Sequence, residues 1–420
     1  MHNFTFINSF LEMENFLRAV HDISKFTLEQ VDLATQREWS IDSGAMSHSC
    51  NGFFHVCGIE SKVTAQQKLV LYQPQSALTG LAFYQKNGLI YVLLQARVEP
   101  GNTNVVQFGP TIQSTPANYL KLHGGKETSC TTWFTQYSKE VTPLSSSMQF
   151  DLGERYFQKS KWHNYVELSS PVIDDQSMVW VSIEALREAL STSNFLNADL
   201  RSLLAVFDWN LILGKQCDLK PTNNTKVMFD VTPKLNFSNQ HWKWISLDNL
   251  KSWQVSSSGI IDTAEQGYDV KIYKTGSLSR EVSQWYQPLM RASSSGLVRL
   301  YLRKSGDSYE CLVTIAWEFG ISGGKIVHPS YVIYPGKSSK LPPAYSNATE
   351  LASFYQSDEG GRFIEHESLY QVLLVDQFEA CENQYWISMS SLASLMRMSN
   401  TTSIQLRTIA SSILPFIYDF

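Results

Sequence analysis

At 420 residues, with 43% hydrophobic and 17% charged positions, the chain is long enough for two packed domains and too apolar to be disordered. Its net charge of −5, with no block of five or more basic residues, excludes a broad nucleic-acid footprint. The six cysteines are scattered, without CxxC or zinc spacing. They read as buried reduced thiols of a cytoplasmic protein, and no metal site is expected.

In chain order, MHNFTFINSFLEMENF lacks the basic and apolar regions of a secretory signal. DISKFTLEQVDLATQREW then leads into a first unit that begins at Trp39. GLIYVLLQARVE, bounded by Asn87-Gly88 and Pro100-Gly101, predicts a strand. Alternation puts Leu94, Ala96 and Val98 on a packing face and Gln95, Arg97 and Glu99 on the other. An amide, a guanidinium and a carboxylate are not a core face, so they meet water or line a pocket. Just downstream, Asn102, Gln107, Thr111, Gln113, Ser114, Thr115, Asn118, Tyr119 and His123 extend that polar run. Such a set suits a sugar or a nucleobase, which present many directional donors and acceptors. His48 reads as structural, and Asp174-Asp175 and Asp358-Glu359 as turn or solvated residues. SIEALREAL predicts a short helix with Ser182 at its start and Glu184 in its first turn. LLAVFDWNLILG, from Leu203, is too short to span a bilayer and contains Asp208. GKQCDLKPTNNTK, from Gly214, is a polar linker between expected domains 1–212 and 213–420.

The second unit, from Trp253, repeats the first. Trp180, Ser182, Leu186, Asn194 and Leu200-Arg201 recur as Trp386, Ser388, Leu392, Asn400 and Leu406-Arg407, at a constant offset of 206 (386 − 180). LLQARVEPG recurs as LVTIAWEFG at an offset of 219 (318 − 99). Val313, Ile315 and Trp317 preserve the packing face. Thr314, Ala316 and Glu318 largely lose the polar one, while Gln107 becomes Ile326, Gln113 becomes Val332 and Thr111 becomes Ser330. One working pocket is expected, in the first unit. The retained Glu318 weakens a catalytic reading of Glu99. No P-loop, GxGxxG, GxSxG or HExxH is present.

LLQARVEPGNTN followed by VVQFGPTIQSTPANYLKLHGG resembles the signature of the NDP-hexose 2,3-dehydratases, with FFHVCGIE and QSDEGGRF as further family-like segments. The resemblance implies an α+β chain of two tandem Nudix-like α/β/α-type domains related by gene duplication, assembled as a homodimer. It implies a dTDP-linked 4-keto-6-deoxyhexose as substrate and loss of its C2 hydroxyl, with neither redox cofactor nor metal. No carboxylate box for Nudix hydrolysis is found. Within this reading Glu99 and His123 are the acid/base candidates, and Tyr119 is a further catalytic candidate that stacks on the base or donates its hydroxyl. Arg97 suits the diphosphate or an enolate, and Gln95, Gln107, Gln113 and Asn118 suit the sugar hydroxyls and the pyrimidine edge. Gln75 stands where the family tends to have a carboxylate. Together with the eroded second unit, it keeps open a nucleotide-sugar-binding protein without turnover. A Nudix-type diphosphohydrolase is a third reading, opposed by the missing box.

Overall fold

The computed structural model describes residues 6–122, 124, 128–136, 138–173, 175–214, 242–280, 282–321, 325–337, 348–376 and 378–418. Each unit opens with a small antiparallel sheet and continues into a larger mixed one. In the first, the strands Trp39–Asp42, Ala45–His48, His55–Ser61 and Gln67–Tyr72 precede a sheet centred on Ala77–Lys86 and Leu89–Val98. These two central strands turn at Asn87 and Gly88, both at positive φ, as a two-residue hairpin requires. Ala77–Lys86 also runs parallel to Ser160–Leu168. The second unit repeats the order, from Trp253–Ser256 to Gly296–Ser305, Ser308–Trp317 and Glu367–Leu374. The architecture is mixed α and β, and the duplication read from the sequence is visible strand by strand.

Local chemistry explains why several repeated residues recur. Ser182 and Ser388 cap the helices Ile183–Ala189 and Met389–Arg397, each hydroxyl accepting a backbone N–H at 3.2 Å. Asn194 and Asn400 sit at φ 51° and 56°, in the left-handed region that asparagine tolerates. From there the Asn194 N–H donates to Tyr355 O (2.9 Å) and the Asn400 N–H to Met148 O (2.8 Å), so each holds a strand of the other unit.

That reciprocity runs through the molecule, as a two-fold relation demands. Thr27–Val31, which precedes the first unit, pairs with Tyr268–Gly276 of the second. Trp242–Ile245, which precedes the second, pairs with His55–Ser61 of the first. The two lead-in segments are thus exchanged across the linker. The helices Ala198–Val206 and Ile404–Ser411 pack on each other at the seam. Arg201 donates across it to Gln356 Oε1 (2.7 Å) and Ser411 Oγ (3.2 Å), and Arg407 to Ser202 Oγ (2.7 Å) and the Phe150 carbonyl. Both guanidinium groups are buried, which is tolerable because hydrogen bonds replace their water.

Leu94, Ala96 and Val98 face the core as the alternation predicts. Their counterparts do so only in part. Val313 and Ile315 are buried, but Trp317 is 68% exposed. Val98 shares a cluster with Phe16 and Val20 of the helix Phe10–Ser24. The expected burial of the cysteines holds for Cys57, Cys130 and Cys311 but not for Cys50 and Cys381, which lie exposed on loops; Cys217 is outside the described residues.

Candidate active site

The polar face of Leu89–Val98 is neither core nor open surface. The Arg97 and Glu99 side chains are 8% and 5% exposed and paired at 3.3 Å, while Arg97 also donates to Gln95 Oε1 at 2.9 Å. Glu99 Oε2 is buried without a hydrogen-bond partner. Arg97 and Glu99 border a cavity of about 380 Å³ together with Gln113, Ser114, Thr115 and Asn118. Thr115 Oγ1 is likewise buried and unpartnered. Aromatic walls come from Trp39, Phe54, Trp285 and Tyr286, the last two from the second unit. His48 also borders the cavity, edge-on to Trp39, and burial lowers its pKa. Arg97, Gln113 and Arg280 also border an adjoining polar chamber of about 340 Å³, where Gln95 lies.

Other expected ligand contacts are engaged elsewhere. Thr111 Oγ accepts from the Ala82 N–H (2.9 Å) and donates to Leu93 O (2.6 Å), bracing two strands. Ser330 makes the same pair of bonds with Tyr301 and Leu312, which accounts for a hydroxyl at both positions. Gln107 is fully buried, and its amide donates to Ser357 Oγ of the second unit at 2.9 Å. Asn102 is buried against Gly360. Tyr119 ends the single turn Pro116–Tyr119, half-buried, and does not border the cavity, although its neighbour Asn118 does. His123 lies outside the described residues. Gln75 is exposed and uses only its carbonyl, which accepts from Lys159 at 2.9 Å, so its side chain takes no part in the cavity.

A second repeated motif, not noticed in the sequence, completes the site. Asp151-Leu-Gly-Glu-Arg155 matches Asp358-Glu-Gly-Gly-Arg362 at an offset of 207 (362 − 155). Each loop crosses to the other unit and lies against the retained Glu-x-Gly. A Cβ on Gly101 would stand 1.5 Å from Phe363 O, and one on Gly320 would stand 1.7 Å from Tyr156 O. The Gly101 N–H donates to Gly360 O (2.8 Å) and the Gly320 N–H to Gly153 O (2.7 Å). Glycine is kept at both places because the partner backbone passes there.

The two junctions then diverge. In the second, the first unit's loop fills the space. The Glu154 N–H donates to Glu318 Oε1 at 3.1 Å, and Arg155 lies 4.1 Å over the Tyr268 ring while donating to Pro335 O at 2.6 Å. In the first, Glu359, Gly361 and Arg362 border the cavity instead. The expectation of a solvated Asp358-Glu359 turn is corrected here. Asp358 pairs with His366, and Glu359 Oε2 lies 3.1 Å from Lys161 Nζ. The partner of Asp358 lies eight residues on in its own unit, whereas that of Glu359 comes from a strand of the other unit. Lys161 and Asp199 also border the cavity and were absent from the sequence reading.

The NDP-hexose 2,3-dehydratase family model matches residues 11–207 and 233–413, one span in each unit. A dTDP-4-dehydro-6-deoxy-alpha-D-glucopyranose 2,3-dehydratase of Amycolatopsis orientalis is 24% identical, over 93% of this chain and 87% of its own length. Proteins of the same name from Streptomyces violaceoruber and Saccharopolyspora spinosa are 23% and 21% identical, each over 93% of this chain and over 93% and 88% of their own lengths.

Proposed function

The chain belongs to the NDP-hexose 2,3-dehydratase family, and from that premise we propose that it is a hydro-lyase acting on a dTDP-linked 4-keto-6-deoxyhexose. The product is the 3,4-diketo-2,6-dideoxyhexose nucleotide. The observation that carries the reading is a charged, aromatic-walled cavity at the first unit's junction, in a chain matched along both units. Each unit is proposed to be Nudix-like, on the sequence resemblance alone.

The C4 ketone acidifies the C3–H bond, so a positioned base can take that proton. Glu99 suits this role, because its unpartnered Oε2 is held beside the cavity by the Arg97 contact at Oε1. The electron pair moves onto the C4 oxygen as an enolate. It then returns to form C2=C3 as the C2–O bond breaks and the hydroxyl leaves with a proton as water. The resulting 3-hydroxy-2-ene-4-ketone tautomerises to the diketone. Arg97, Arg280 and Arg362 concentrate positive charge around the cavity, which favours a diphosphate and an enolate. Trp285 and Tyr286 offer faces for a pyrimidine, and Gln113, Ser114, Thr115 and Asn118 offer polar contacts for the sugar.

The test is incubation with dTDP-4-keto-6-deoxyglucose, a 3-ketoreductase and NADPH, followed by mass spectrometry. A sugar lacking one hydroxyl is expected. Tight binding of the nucleotide sugar with no turnover would instead establish the binding-protein reading.

A further inference from the structure

The cavity has an acidic corner opposite in character to the Arg97–Glu99 pair. Lys161 Nζ lies 2.8 and 3.1 Å from the two Asp199 oxygens, 3.1 Å from Asp151 Oδ2 and 3.1 Å from Glu359 Oε2. Lys161 and Asp199 are 4% and 3% exposed, yet both border the cavity with Glu359. Three carboxylates share the one ammonium of Lys161 at hydrogen-bonding distance, with Lys159, Arg362 and Arg407 in electrostatic contact, and the corner is shielded from water. Protonating one carboxyl is the cheapest relief.

The second junction serves as an internal control. It retains the scaffold of this corner, with Asp358, Arg155 and His366 at the positions of Asp151, Arg362 and Lys159. It lacks the charged centre: Lys161, Asp199 and Glu359 correspond to Ser368, Gln405 and Leu152. Residues needed to hold the loop recur in both units. The lysine with its two extra carboxylates occurs at the junction that borders the cavity of about 380 Å³.

We infer that Asp199 is the general acid of the elimination, delivering its proton to the departing C2 hydroxyl, with Lys161 as its positioning residue and Glu359 of the second unit as the charge that keeps the proton there. The Asp199 O–H bond breaks, the C2 oxygen gains that proton and leaves as water, and Asp199 is left as a carboxylate that solvent reprotonates. The inference rests on the dehydratase reading above. Electrostatics divides the labour in the same sense. Burial raises the Asp199 pKa, and Glu359 and Asp151 add to the rise against the pull of Lys161. Burial acts likewise on Glu359, but Lys161, Arg362 and Lys159 outweigh it and keep that carboxyl ionised. Arg407 is also in electrostatic contact with Asp199.

The experiment follows two reactions of the Asp199→Asn variant in D2O: deuterium entry at C3 of dTDP-4-keto-6-deoxyglucose by NMR, and dehydrated product by reductive trapping. Asparagine is isosteric with the uncharged carboxylic acid that the inference requires, so folding is expected to survive. The variant should still exchange the C3 hydrogen while forming product at least ~100-fold more slowly, the usual weight of a general acid. Product formation close to wild type would overturn the inference, as would loss of C3 exchange with nucleotide binding retained. Should Asp199→Asn fail to fold, Glu359→Gln is the substitute. Losing that charge should move the basic limb of the kcat–pH profile to lower pH, and an unmoved limb counts against the assignment. Wild-type protein that neither exchanges nor dehydrates would sink the dehydratase reading itself, a result distinct from either variant's failure.

Discussion

Glu318 tests whether the glutamate found in both units is kept by packing. Its side chain is buried, Oε1 accepts the Glu154 N–H at 3.1 Å, and Oε2 has no partner. Burial, reinforced by Glu154, pushes its pKa from 4.5 to about 8, with hydrogen bonds from Tyr334 and the Glu154 N–H opposing the rise. The unfolded chain therefore ionises Glu318 from pH 4.5 upward, while the folded protein holds the proton until about 8. Its contribution to stability is full below pH 4.5, is lost as pH rises through that window, and stays lost above it. The slope is roughly 1.4 kcal/mol per pH unit, so the whole window amounts to about 5 kcal/mol before relaxation and water entry reduce it. Glu318→Gln keeps the acceptor for the Glu154 N–H and cannot ionise. Urea unfolding should find it similar to wild type near pH 4.5 and more stable near pH 8.5, by a margin that grows between them. A difference independent of pH, or a variant less stable at pH 8.5, would refute the reasoning.

Arg97→Ala removes charge-assisted contacts of the kind worth about 1.5–3 kcal/mol, so calorimetry should show dTDP binding roughly 10- to 150-fold more weakly. Arg362→Ala, although it lies in the second unit, should also weaken that binding; its counterpart Arg155→Ala should lower the thermal midpoint and leave dTDP affinity unchanged. Thr111→Val leaves the Ala82 N–H and the Leu93 carbonyl without their hydroxyl partner. It should cost about 1–3 kcal/mol in urea unfolding, and Thr111→Ser should recover it, since Ser330 already performs the same task.

Much of the chain could be read from its residues because much of it is periodic or repeated. The two-residue alternation of Leu94, Ala96 and Val98, the caps at Ser182 and Ser388, and the offset of 206 between the units are local signals, and each has its structural counterpart. The paired copies also pointed to Arg97, lost as Ala316, because comparing two faces of one strand separates packing from polarity; Glu99, retained as Glu318, was not singled out that way. Thr111 and Gln107 share the polarity of the residues bordering the larger cavity, yet hydrogen bonds hold them as braces, which composition cannot distinguish. Lys161 and Asp199 had no signal at all, and Glu359 had only its place in the family-like segment QSDEGGRF. They come from a strand, a helix start and a loop of the other unit, far apart in sequence. Their character arises only when those elements meet and exclude water. A sequence pattern records which way a side chain points within its own element. Whether a charge there is buried, paired or aimed at a ligand depends on what the rest of the chain packs against it, and in this protein that neighbour is the other copy of the same fold.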